Sequence, residues 1–339
     1  MQARRPGQSR LHAVALCALA RDRAVDAGAV RRRVFVVGCP RSGTTLVQSL
    51  LHAHRDIQSL PETHFFQRLV ASEDTRRCEA TAGGTERARR ERRERMRRAL
   101  AAAGIVDARR ARRAWRDLGD TGLVPDAPRG LDAWRLDAHA RAFVAAMDRL
   151  CLQHGKSVWL EKTPDHLFYV EAIRRCVPDA RFIHVVRDGE EVVASLHRAA
   201  REHAPWRPFL DLDRCIGRWG RAVAESLRWI DDPRHRLVRY EDLVAAPEAT
   251  LRQVLAFIGC AEDARLWQRH PRTTAQLITP DEPWKRGNLQ PIAARRRFEA
   301  TFDRAQQQRV RDGLARIASR LAAATGTPPP MAQVRASFG

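Results

Sequence analysis

The stretch Val34–Leu46 reads VFVVGCPRSGTTL. An unbroken apolar run ends on Gly38, a short turn carries a second glycine at Gly43, and two threonines open the next segment. The order is strand, loop, helix, because TTLVQSLLHAH spaces Leu46, Leu50 and Leu51 along one helical face. In such a loop successive backbone N–H groups face inward and the helix beyond presents its positive dipole end, which makes an anion cradle. The nucleotide-hydrolysing version has a lysine directly after the second glycine and a magnesium-binding aspartate at another strand end. Here Thr44 follows Gly43, no strand end shows that aspartate clearly, and the nearest cation is Arg41, inside the loop. Arg41 can clamp two phosphate oxygens, and Ser42, Thr44 and Thr45 bring hydroxyls to the same place. The stretch therefore reads as a loop that holds phosphate without metal-assisted hydrolysis. The bland alternative is a glycine turn that packs a helix on a strand.

The same alternation continues along the chain. KSVWLEK reads as a strand and TPDHLFYVEAIRRC as a helix with Thr163 as cap and Pro164 in its first turn. RFIHVVRD is a strand leading into GEEVVASLHRAAREH, and HRLVRYEDL is another strand with its exit. PEATLRQVLAFIG is a helix with proline at its start and Gly259 at its end. Trp134, Leu136, Phe143, Met147 and Leu150 mark an amphipathic helix over 132–154, and further helices are expected near 211–231 and 294–323. Strands alternating with helices predict an α/β fold, a mostly parallel central sheet covered on both faces. The expected organisation is a basic leader over 1–32, one domain over 33–325 with an Arg-rich helical insertion near 75–130, and a disordered tail over 326–339.

The formal net charge is +21, and of 61 basic residues only Lys156, Lys162 and Lys285 are lysine. So strong a skew reads as compositional bias as much as a binding device, although an Arg-rich nucleic-acid-binding protein stays open. The insertion argues against that reading: its charges are mixed and Trp115 alone is a poor stacking platform. It reads as a solvated helical insertion. Seven cysteines, odd in number and with no C-x-x-C pair, argue against a disulfide scaffold and a zinc site. No apolar run reaches the roughly 20 residues a membrane span needs. A cytoplasmic location is expected, while LHAVALCALA near the start leaves export open.

A second anion site is read in HVVRDGEEVVASL. Arg187 lies at the carboxyl end of a strand, where open parallel sheets bind ligands, and Ser195 lies about two turns into the next helix. The two can pinch one phosphate; the alternative is an Arg187 paired with Asp188 or Glu190. Two phosphate sites at neighbouring strand ends suit a nucleotide phosphorylated at two separated positions.

With these blocks in order, the chain resembles the sulfotransferases that use 3′-phosphoadenosine 5′-phosphosulfate (PAPS). VGCPRSGTTL looks like their 5′-phosphosulfate loop and RFIHVVRDGEEVVASL like their 3′-phosphate segment. SLPETHFF, the KTP of WLEKTPDHL, and RLVRYEDLVAAPEATL are similar to the bacterial and tyrosylprotein-type branch. The resemblance implies a P-loop-like three-layer fold and metal-independent, in-line sulfuryl transfer from PAPS to a hydroxyl of a small molecule, carbohydrate or peptide, leaving 3′-phosphoadenosine 5′-phosphate (PAP). It implies Glu62 as the general base, with His64 two residues on as the rival; a helix-start carboxylate is the bland reading of Glu62. It implies Lys162 as the cation beside the leaving oxygen, against a surface lysine at a strand end. Lys285, Arg286 and Gly287 in PWKRGNL resemble the late basic–glycine loop over the nucleotide, with altered spacing. Tyr240 either lies near the adenine or simply packs its strand exit. A P-loop kinase or hydrolase is the rival enzyme. The acceptor and the oligomeric state are not readable from these residues.

Overall fold

A computed structural model describes residues 29–70, 92, 96, 99–100, 103–120, 131, 134–263, 266, 273–275, 277 and 296–326. The leader up to residue 28, most of the expected insertion, the Lys285–Gly287 loop and the tail beyond Gly326 lie outside the described residues. Five parallel strands form one sheet in the order β2-β3-β1-β4-β5. They are β1 Arg32–Gly38, β2 Ile57–Ser59, β3 Val158–Lys162, β4 Ala180–Val186 and β5 His235–Arg239. The strand at the centre, β1, is VFVV at its core, and Val34, Phe35, Val36 and Val37 are all fully buried. A parallel strand covered on both faces needs this continuous apolar run, because its alternate side chains each meet a layer of helices.

The two layers divide by parity. Phe35, Val37, Trp159 and Phe182 belong to one core, with α4 Leu136–Gln153, α6 Gly189–Glu202, α7 Leu212–Leu227 and α11 Arg304–Thr325. Val34, Val36, Leu160 and Ile183 belong to the other, with α1 Thr44–His52 and α9 Pro247–Ile258. The remaining helices are α2 Phe65–Leu69, α3 Ala108–Gly119, α5 Val170–Cys176, α8 Tyr240–Ala245 and α10 Phe298–Thr301. The result is the expected three-layer α/β architecture. Among the described residues no helix is long and apolar enough to cross a membrane.

Three local expectations are corrected. The helix expected over 132–154 starts at Leu136, so Trp134 is outside it and 53% exposed. Pro164 opens a tight helical turn, Pro164–Tyr169, and Thr163 does not cap it; its hydroxyl is drawn instead to the buried carboxylate of Glu161. The portion of the insertion that forms α3 is not merely solvated. Ala111, Ala114, Trp115 and Leu118 are buried, with Trp115 edge-on to Phe65 of α2 at 5.2 Å. Arg110 of the same helix donates to the carbonyl oxygens of Gln67, Arg68 and Val70, which fixes the end of α2.

Strand order creates the site. The chain leaves β1 toward β2 on one side, and leaves β4 toward β5 on the other. The crevice at the carboxyl ends of β1 and β4 is thus a topological switch point, where open α/β sheets bind ligands. The loop after β1 and Arg187 after β4 both open into this region.

Candidate functional site

Close backbone packing shapes the loop after β1. Gly38 lies beside Val185 of β4, and a Cβ there would stand 2.4 Å from the Val185 carbonyl oxygen. Gly43 has φ +97°, and a Cβ there would stand 2.5 Å from the Tyr240 ring. Gly43 caps α1 without a side-chain bond, and no acidic residue sits in the first turn. A helix start leaves N–H groups without intrahelical partners, so this one points positive charge and donors into the crevice. The Ser42 hydroxyl is buried with no hydrogen-bond partner. A buried hydroxyl without a partner is costly, and an anion in the cradle would supply one.

Arginines converge on the same place. Arg41 has φ +73°, in the left-handed region, and its Nε donates to Ser195 Oγ of α6 at 3.2 Å. Burial, with Arg198 and Arg187 close by, pushes Arg41 down to about 10. Positive charge gathered against its own repulsion is the signature of a site built for a negative ligand. The Arg187 guanidinium lies over the Tyr240 ring at 4.3 Å and is 3.5 Å from Glu191 Oε2. Neither of its expected partners holds it: Asp188 accepts from the Glu191 N–H at the start of α6, and Glu190 contacts Arg311. The Arg187 backbone carbonyl accepts from Trp219 Nε1 at 2.9 Å. Ser195 meets Arg41, and Arg187 meets Tyr240, so the two anion readings share one crevice.

The chemistry-bearing residues sit beside the loop. Lys162 ends β3 with no exposure, which rules out a surface lysine. Its ammonium donates to Glu62 Oε1 in very close contact and to Thr45 Oγ1 at 3.2 Å. Glu62 is not a helix-start carboxylate: the residue capping α2 is His64, and α2 has no acidic residue in its first turn. His64 Nε2 lies 3.5 Å from Glu62 Oε2, and its Nδ1 pairs with Gln67 Oε1 at 3.0 Å. Burial lowers the His64 pKa, which favours the neutral ring. Tyr240 lies against both Gly43 and Arg187.

The sequence reading missed the supports. Glu161 is wholly buried and hydrogen-bonded to Thr63, Thr163 and His166. Glu191 accepts from the backbone N–H groups of Arg297 and Phe298, and Glu241 accepts from the Asp188 N–H. A carboxylate inside the apolar strand VWLEK was the available signal for Glu161. For the others the partners are too distant in sequence to be seen. These residues fit a phosphorylated nucleotide: uncapped helix start, unpartnered buried hydroxyl, and converging guanidinium groups.

The sulfotransferase family model matches residues 33–264. The chain is 31% identical over 145 residues to the omega-hydroxy-beta-dihydromenaquinone-9 sulfotransferase Stf3 of Mycobacterium bovis, covering 40% of this chain and 36% of that protein. It is 27% identical over 233 residues to protein-tyrosine sulfotransferase 1 of Danio rerio, covering 67% of this chain and 52% of that protein. It therefore spans between a third and about half of the length of these curated relatives. Among solved structures, mouse sulfotransferase SULT7A1 complexed with PAP aligns at TM-score 0.46 and 13% identity, over 88% of this chain and 87% of that one.

Proposed function

The chain belongs to the sulfotransferase family, and from that premise we propose that it transfers a sulfuryl group from PAPS to an acceptor hydroxyl, without a metal. The observation that carries this reading is the contact of Lys162 with both Glu62 and Thr45. A base candidate, a compact cation and the anion cradle thereby meet at one point. When bound, the donor supplies an activated sulfuryl group and an oxygen that departs with its 5′-phosphate.

The protein's own residues do the rest. Arg41, Ser42, Gly43, Thr44 and Thr45 hold the 5′ end through guanidinium, hydroxyls and backbone N–H groups. Arg187 and Ser195 hold the 3′-phosphate, with Tyr240 against the Arg187 guanidinium. Lys162 places a point charge where negative charge gathers as the bond to sulfur breaks, a task that suits an ammonium better than a planar guanidinium. Glu62 takes the acceptor's proton, and His64 is the second candidate for that role. Lys285, Arg286 and Gly287 complete the nucleotide site in this reading. The two relatives named above act on an omega-hydroxy-dihydromenaquinone and on protein tyrosine. Both names fit a hydroxylated acceptor here, whether small molecule, carbohydrate or peptide.

The test is binding followed by product search. With chelator present, PAP at 100 times its Kd should stabilise the protein by about 2.7 kcal/mol. A PAPS-dependent screen of hydroxylated compounds by mass spectrometry should then find an adduct carrying one added sulfate. Failure of PAP to stabilise the protein, together with magnesium-dependent ATP turnover, would replace the proposal with a kinase or hydrolase.

A further inference from the structure

Glu161 lies one residue before Lys162 in β3, and its burial is costly. It has no exposure, and an ionised carboxylate in an apolar layer is tolerated only when fully hydrogen-bonded. It lies opposite Phe35 of β1, beside His166, whose ring packs on Phe35 and Phe66. Its partners are Thr63 Oγ1 at 2.8 Å, Thr63 N at 3.3 Å, Thr163 Oγ1 at 2.6 Å and His166 Nδ1 at 2.8 Å. All donate to it. Burial pushes its pKa up, but His166 and the hydroxyls of Thr163 and Thr63 outweigh burial and hold it below the usual carboxylate range.

The placement of these bonds is specific. Thr63 follows Glu62, and Thr163 follows Lys162. The Thr163 hydroxyl in turn accepts from the His64 N–H at 3.1 Å, where His64 is held at φ +51°. Backbone held in the left-handed region by a non-glycine residue persists only where its surroundings over-determine it. Consecutive residues of a strand face opposite ways, so Lys162 leaves β3 toward Thr45 and Glu62 while Glu161 leaves it toward the backbone that carries Glu62.

We propose that Glu161 is a positioning residue that clamps the Glu62–His64 backbone to the end of β3 and so sets the separation of Glu62 from Lys162. This rests on the sulfotransferase reading above for its kinetic consequence, and on geometry alone for its structural one. A residue that only filled this layer would be apolar. The bonds made here tie two chain segments together on either side of the reacting pair.

The experiment uses Glu161→Gln, Glu161→Asp and the milder Thr163→Val in the full chain. Release of inorganic sulfate from PAPS gives kcat and KM, calorimetry with PAP gives Kd, and a crystal structure of each variant shows the Glu62–Lys162 contact. Glu161→Gln should lower kcat roughly 10- to 100-fold, the range seen when an outer support of a reacting group is removed. PAP affinity should stay within about twofold of the native value, and the contact should open. Glu161→Asp should recover part of the rate. A kcat unchanged in both Glu161→Gln and Thr163→Val, or an unaltered Glu62–Lys162 contact in their crystals, overturns the proposal. So does loss of PAP affinity in proportion to kcat, which would mark a merely structural role. Should Glu161→Gln not fold, Thr163→Val decides. If the native protein itself neither binds PAP nor releases sulfate, the sulfotransferase reading fails. The variant crystals then still judge the clamp.

Discussion

Arg41 occupies a position that arginine ordinarily avoids. A left-handed φ costs an L-residue roughly 1–2 kcal/mol, and this guanidinium is also buried beside Arg187 and Arg198. Strain and like-charge crowding at one residue are tolerable when a ligand recovers them. Arg41→Gly is therefore expected to leave the ligand-free melting temperature equal or higher while weakening PAP binding about 10²-fold, because charge-assisted bonds to phosphate are lost. Calorimetry with and without PAP checks both halves. Glu62→Gln separates binding from chemistry: PAP affinity should hold, while turnover falls on the order of 10²-fold or more, measured as PAPS-dependent sulfate transfer. If Glu62→Gln keeps full turnover, His64 takes the role of base. At this scale the sequence was most informative where chemistry is local. Loop residues Arg41 to Thr45 are consecutive and announce themselves. Glu191 and Glu241 act across long separations through backbone N–H groups, and Glu161 reaches Thr63 from 98 residues away, which no spacing reveals.

Elements show a second kind of legibility. Apolar runs and helical spacing located four of the five strands and most helices within a few residues, because burial on two faces leaves the sequence little freedom, while the three-residue edge strand β2 was too short to be read. The errors fell where a polar contact outbid local preference. Thr163 stands where a cap belongs, but its hydroxyl serves Glu161. The Arg-rich stretch hid a buried stripe of Ala111, Ala114, Trp115 and Leu118 beneath exposed arginines. Between β4 and β5 lies a further feature that was not read, the buried contact of His184 Nε2 with His235 Nδ1 at 2.9 Å. Burial, then the charge of His235, lowers His184 to about 3; burial, opposed by Asp232 and aided by Arg174, lowers His235 to about 4. Unfolded histidine protonates near 6.5, so below that pH the unfolded chain binds more protons than the native one. Stability is then fully present above about pH 6.5 and is lost toward pH 4 and 3. The slope approaches about 1.4 kcal/mol per pH unit for each histidine. Urea unfolding at stepped pH should show the slope, and a His184→Phe, His235→Phe double variant should flatten it.

At the scale of the whole molecule, strand alternation foretold a parallel sheet but not the neighbours of each strand. The order β2-β3-β1-β4-β5 depends on which helical faces bury which strands, a three-dimensional contest that no single segment records. That order nevertheless decides where the site can be, since it puts the ends of β1 and β4 side by side. The net charge of +21 acts over the whole surface as well. Raising ionic strength from about 0.1 M to about 1 M shortens the screening length from ~10 to ~3 Å. Association of PAP should slow several-fold over that range while its dissociation changes little, because steering is long-ranged and the final contacts are buried. Stopped-flow binding separates the two rates, and a dissociation rate that carries most of the salt effect would contradict the assignment.

Tyr240 is a single rigid plate touching the backbone of Gly43 on one side and the guanidinium of Arg187 on another. It therefore fixes how closely the loop after β1 and Arg187 approach one another. In the sulfotransferase reading, where Arg41 and Arg187 take the two ends of the nucleotide, a nucleotide with its second phosphate on the neighbouring ribose oxygen is expected to bind more weakly than PAP, as competition calorimetry would show. A preference set by the packing of this ring is expected to persist at salt concentrations that screen attraction at a distance.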